Sequence, residues 1–147
     1  MKSIIFEFDA VIYPFKLLVT KNFDPKELSD KFYVVNDHDE LEDAPDSFIP
    51  SRRTIARTLQ VADKKECRTS MLIMLCHSKL IAQGTVSHES FHVVNIISEC
   101  LGFFPKNAME DEPGAYLIQW VSNCIDSVLR GHPEKMNGIK LKTNEQD

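Results

Sequence analysis

The chain has 147 residues, of which 43% are hydrophobic and 27% charged, and its net charge is −5. This length suits one compact domain, and the acidic balance without a basic stripe argues against a nucleic-acid partner. No apolar run approaches the ~18 residues of a membrane span, and Glu7 and Asp9 stand too early for a signal peptide. We therefore expect a cytoplasmic protein, or one in a particle assembled in a cytoplasm, with no membrane partner. The four cysteines show no C-x-x-C spacing and are interpreted as reduced core residues.

The first third of the chain predicts strands and one short helix. Residues 4–12 alternate apolar and polar side chains, which is the period of a half-buried strand, and a second short extended piece follows at 15–20. Asp24 and Pro25 are typical of a helix N-terminus, because an aspartate caps the first amides and proline fits the first turn. They predict a short helix over 24–32.

The remainder predicts a β-hairpin followed by two long helices. Residues 54–77 contain two apolar alternating runs around a polar turn, which is typical of a hairpin. Residues 85–101 are apolar on most faces, which indicates a central, buried helix, and Gly102 is placed to end it. A second long helix is predicted over 112–130, with Gly131 after it.

These elements predict an α+β fold. In it, a small N-terminal β-sheet packs against two long antiparallel helices that carry a metal site. One domain is expected over residues 1–131, with its core at 54–130. Residues 132–147 are interpreted as a polar C-terminal tail.

The candidate metal ligands are His88 and His92, with Glu89 between them. On a helix, positions i and i+4 lie one above the other, so the two imidazoles are placed one turn apart, within reach of a single Zn²⁺. Glu89 lies at the flank of the pair, where a carboxylate contacts a metal-bound water rather than the ion. Two nitrogen ligands, a polarised water and an adjacent base are what a metal-dependent hydrolase needs.

A catalytic tetrahedral site needs a third protein ligand. Glu99 lies ~10 Å further along the same helix, too far to share the ion. Three acidic residues open the next helix, which a short loop would fold back against the first. Glu112 is the expected ligand, while Asp111 is predicted to cap the helix and Glu110 to remain in the loop.

The sequence HESFH at 88–92, nineteen residues before EPGA at 112–115, resembles the HExxH…ExxA pattern of gluzincin metallopeptidases, above all their minimal single-domain forms. The resemblance covers residues 54–130 and implies one zinc ion per chain, bound by His88, His92 and Glu112, with Glu89 as general base. More loosely, the chain is similar to small metallopeptidase-like proteins encoded by bacteriophages.

The resemblance also implies a substrate-aligning edge strand at SMLIMLC, residues 70–76, and a residue that stabilises the oxyanion. Tyr116, one turn beyond Glu112, and His77 are candidates for that catalytic role. Two departures from the larger gluzincins stand out: Asp111 replaces an asparagine before the ligand, and Tyr116 stands four residues after it, without the usual acid.

Two functions remain open. In the first, a zinc-dependent peptidase, Glu89 takes a proton from the water that attacks an amide carbonyl, and an extended peptide substrate adds to strand 68–76. In the second, the chain is a structural or interaction protein of a phage particle, with virion proteins as partners and a zinc staple or no metal. Without metal, His88 and His92 would be partly buried histidines, one of them bonded to Glu89 or Asp111.

Overall fold

The computed structural model describes residues 2–10, 13–102, 112–133 and 142–143, and only the backbone of Glu112, Lys142 and Thr143. The strands are β1 (Ile4–Asp9), β2 (Lys16–Asn22), β3 (Phe32–Val35), β4 (Leu41–Glu42), β5 (Ala56–Asp63), β6 (Thr69–Leu75) and β7 (Lys142–Thr143). The helices are α1 (Pro25–Lys31), α2 (Gln83–Leu101) and α3 (Glu112–Leu129). The described chain is thus α+β, as expected, with one mixed sheet in the order β4-β3-β5-β6-β2-β1-β7.

The predicted hairpin at 54–77 is confirmed, because β5 and β6 pair antiparallel from Ala56 opposite Leu75 onward. On its other side β6 pairs with β2, and this pair is parallel. β6 therefore lies in the middle of the sheet, and the prediction that residues 68–76 form an edge strand is wrong. Its burial agrees with a central position, since every residue from Ser70 to Leu75 is buried.

The sheet separates two apolar cores, and consecutive residues of β6 alternate between them as the pleat of a strand requires. Ile73 lies in the core beneath α2 and α3 and is fully buried. Leu72 lies in the second core, together with Leu28 of α1 and Phe48 of the short 3₁₀ turn at Pro45–Phe48. Both faces of the sheet are thus covered by helical segments.

The predicted short helix at 24–32 is confirmed as α1, and its N-terminus is tied to the start of β1. Asp24 caps the helix by accepting a hydrogen bond from the Lys26 amide at 3.2 Å. The Ser3 hydroxyl accepts from the Asp24 amide at 2.9 Å, and the Ser3 amide donates to Glu27 at 3.0 Å. In a capping box Glu27 would bond the Asp24 amide itself. Here Ser3 stands between the two and joins strand to helix.

Both long helices end at the predicted glycines. Gly102 has a φ of 71°, and its amide bonds the carbonyls of Ser98 and Glu99, which closes α2. Gly131 has a φ of 75° just beyond α3. The two helices pack against each other, and the hydroxyls of Ser90 and Ser122 are 2.9 Å apart.

The predicted layout needs three corrections. Instead of two long antiparallel helices, the described part of the chain has three helices, of 7, 19 and 18 residues, on the sheet, because the apolar strands of the sheet have two faces to bury. The sheet is not confined to the N-terminal half, since Lys142–Thr143 pairs with β1. α2 is not central either, and its outer side is exposed at His88, Phe91 and His92. None of the described helices combines the length and hydropathy that crossing a membrane requires.

The four cysteines are free, as expected, but they do not all lie in the core. Cys124 is buried and Cys76 is half-buried. Cys67, in the turn between β5 and β6, and Cys100, near the end of α2, are exposed. The core assignment was therefore wrong for these two, because spacing alone does not reveal which side of a turn or helix faces solvent.

Candidate metal centre

His88 and His92 lie together on the solvent side of α2. Their Nε2 atoms are 3.0 Å apart, and the ring planes meet at 80°. Two nitrogens held tetrahedrally at ~2.0–2.1 Å from one zinc ion would be about 3.3 Å apart. The pair therefore already has nearly the separation that a single ion requires. Without an ion, an N–H of one ring donates to the Nε2 of the other.

Glu89 is bonded to the sheet rather than to either histidine. Its side chain is buried, with 5% exposed, and its Oε2 accepts a hydrogen bond from the Thr58 hydroxyl of β5 at 2.5 Å. A hydroxyl bonded to a carboxylate gives such short contacts. The interpretation of one histidine bonded to Glu89 is therefore wrong, since Thr58 holds the carboxylate and the histidines bond each other. The pair is also exposed rather than partly buried.

A groove of about 610 Å³ opens beside the carboxylate and the first histidine. Its walls are the N-terminal end of α2, including His88 and Glu89, and residues 53–57 leading into β5. Arg57 is held there by a bond from its Nη1 to the Ser47 carbonyl at 2.8 Å. Sequence reasoning did not single out the arginines of this wall, because only the packing of α2 on β5 brings them near the histidine.

β5 has a free edge next to this groove. β3 pairs with β5 only at Val61–Asp63, so in the described chain Ala56–Gln60 has no strand on that side. The opposite side of Ala56–Gln60 is paired with β6. An extended segment could therefore add a strand beside residues 56–60, whereas β6 offers no such edge.

The third expected ligand stays a prediction. In the part of the chain that the structure describes, no group of three or more His, Cys, Asp or Glu side chains is arranged to hold a metal ion. The backbone of Glu112 begins α3, but its side chain lies outside the described atoms, as do Glu110 and Asp111. His88 and His92 thus fit two ligand positions.

The two candidates for oxyanion stabilisation are both exposed. Tyr116 is 67% exposed on α3, and His77 follows the end of β6. As far as the described residues go, the walls of the groove beside His88 include neither side chain. Their catalytic role is a prediction that rests on sequence position alone.

No protein-family model, curated protein or solved structure matches the chain. The resemblance to gluzincins rests on residues 88–92 and 112–115.

Proposed function

We propose that the chain is a zinc-dependent peptidase, with one zinc ion held between α2 and the start of α3. The observation that supports this most is the 3.0 Å separation of the two Nε2 atoms on an exposed face beside a groove. Little side-chain freedom remains to be lost when an ion binds such a pair. His88, His92 and Glu112 would be the ligands, and the bound ion would supply a polarised water.

Glu89 would take the proton from that water and pass it to the leaving amine. Thr58 bonds Oε2 of the carboxylate and so orients it, which leaves Oε1 for the proton. A peptide substrate would lie along the free edge of β5 at Ala56–Gln60, where main-chain hydrogen bonds would align it beside Glu89. This position replaces the expected one on β6.

The test is the zinc content of the purified, zinc-loaded protein, together with cleavage of a dye-labelled unfolded protein. We expect one zinc per chain in the unaltered chain and in Glu89→Gln, and its loss in His92→Ala. Cleavage is expected to fall by at least ~100-fold in Glu89→Gln, the lower end of the range for a general base. His38→Ala is the matched control, because His38 is an exposed loop residue, and it should retain both properties. Absence of zinc from the unaltered chain would exclude the metal centre.

The second candidate is a structural or interaction protein of a phage particle, in which zinc is a staple or is absent. The bond between Thr58 and the buried Glu89 favours it, because this carboxylate already has a partner within the fold. A staple raises the midpoint of thermal unfolding when zinc is added, and His92→Ala abolishes that rise. Zinc binding with such a rise, but with no cleavage, would support this candidate over the peptidase.

A further inference from the structure

A cavity of about 540 Å³ lies on the α1 face of the sheet, between α1, the β1–β2 hairpin and the turn that joins β5 to β6. Its volume falls within the ~300–1,000 Å³ typical of small-molecule sites. The groove beside His88 lies at other residues, between α2 and the start of β5. The cavity is therefore a different site from the candidate metal centre.

The floor of this cavity is apolar with one polar group. Ile5 of β1, Leu18 of β2 and Phe32 of β3 line it and belong to the second core. Ser70 of β6 also lines it and is 9% exposed. Its hydroxyl has no hydrogen-bond partner among the described residues and can donate to a ligand.

Most charged groups on the cavity rim already have a partner. Glu7 pairs with Lys16 at 2.8 Å and Glu66 with Arg68 at 3.0 Å, while Lys64 pairs with Asp43. The Asp63 carboxylate accepts hydrogen bonds from amides of the β5–β6 turn, and Glu27 accepts one from the Ser3 amide.

Lys31, at the end of α1, differs from these groups. Within the described chain its ammonium makes no salt bridge, and it lies over the Phe32 ring, 5.7 Å from the ring centroid. Burial lowers the pKa of Lys31, and the charge of Glu27 offsets part of this effect. Lys65 lowers that pKa further, whereas Glu7 and Asp63 raise it. The ammonium thus lacks both full hydration and a close counter-ion.

We propose that this cavity binds a small monocarboxylic acid with an apolar body. The carboxylate pairs with Lys31, the Ser70 hydroxyl supplies a further donor, and the apolar body lies on Ile5, Leu18 and Phe32. A single negative charge matches the half-buried Lys31 ammonium. Lys2 also lines the cavity without a salt bridge in the described chain, but it is exposed to solvent. A doubly charged phosphate would instead meet the carboxylates of the rim, which like-charge repulsion disfavours.

The test is calorimetric titration with octanoate, beside octanamide, which has the same apolar chain and no charge. Lys31→Met keeps a side chain of similar length without the ammonium. We expect it to weaken octanoate binding about tenfold or more, the effect of losing a charge-assisted hydrogen bond. Lys26→Met on the same helix is the matched control, since Lys26 is exposed and outside the cavity, and it should bind octanoate unchanged.

Lys31→Arg retains the charge and should bind octanoate within a few-fold of the unaltered chain. If Lys31→Met does not give folded protein, Lys31→Arg and Ser70→Ala are compared instead. Ser70→Ala is then the variant that should lose affinity, and we expect it to weaken octanoate binding severalfold. The proposal is overturned if octanoate does not bind, if octanamide binds equally well, or if octanoate binds Lys31→Met as tightly as the unaltered chain. None of these results depends on zinc.

Discussion

The hydrogen bond between Thr58 and Glu89 joins β5 to α2 through a buried carboxylate. Thr58→Val preserves the shape of the side chain and removes the donor. Because a buried acceptor then loses its partner, we expect the free energy of unfolding to fall by about 1–3 kcal/mol.

Urea denaturation measures this change, and Thr69→Val is the control, because Thr69 is an exposed residue of β6. The loss at Thr58 should largely disappear when the substitution is made in Glu89→Leu, which has no carboxylate to leave unpaired. Equal losses at Thr58 and Thr69 would show that the bond contributes nothing specific to stability.

The cysteines should differ in reactivity according to their burial. Burial raises the pKa of the Cys124 thiol. Burial also raises the pKa of the half-buried Cys76 thiol, although the charge of Arg57 offsets part of this effect and the charge of Glu89 adds to it. Since the thiolate is the reactive form, we expect Cys67 and Cys100 to react first with an aromatic disulfide reagent at pH 8. Cys124 should react only after denaturant is added. Mass spectrometry of the labelled chain identifies each site, and early labelling of Cys124 would contradict its position in the core.

At the residue scale, sequence spacing predicted that His88 and His92 lie together, but it did not predict the partner of Glu89. The separation of four residues places His88 and His92 side by side on any helix, so their neighbourhood could be predicted from sequence. The partner of Glu89 could not be predicted, because it depends on where α2 crosses β5. Thr58 lies 31 residues away, and no local pattern connects the two.

At the scale of elements, Ser3 joins the start of β1 to the N-terminus of α1. Ser3→Ala removes the acceptor of the Asp24 amide bond in a buried position, since Ser3 is 5% exposed. We expect a loss of about 1–3 kcal/mol in the free energy of unfolding, measured by urea denaturation. Ser29→Ala, within α1, is the control and should change stability little. A loss at Ser29 as large as at Ser3 would contradict a specific role for this junction.

The residues at which the helices and hairpin strands begin and end were largely predictable from the sequence. Which strands pair with one another in the sheet was not. Gly102 and Gly131 adopt left-handed backbone conformations that end helices, and this is a local property of glycine. The alternating runs of the hairpin are local as well. The central position of β6 depends on β2, and an apolar run does not say which distant strand will pair with it.

For the whole molecule, β6 contributes to both cores and should make them unfold together. Leu72→Ala, in the core under α1, is expected to cost about 2–5 kcal/mol by leaving a cavity. Trp120 packs against the other core, so its fluorescence reports from the opposite face of the sheet. The Trp120 transition in urea should shift by the same amount as the far-ultraviolet circular dichroism signal. Two separate transitions would show that the two faces are independent.

The parallel pairing of β2 with β6 also has a kinetic consequence. The β5–β6 hairpin closes over a short turn, whereas β2 and β6 lie about 50 residues apart along the chain, so their pairing must close a much larger loop. We therefore expect the local hairpins to form early and the centre of the sheet to join late. Destabilising the turn at residues 64–68 should then slow refolding. Weakening the contact between β2 and β6 should mainly speed unfolding. In this order of events β6, at the middle of the native sheet, pairs first with β5 and only late with β2.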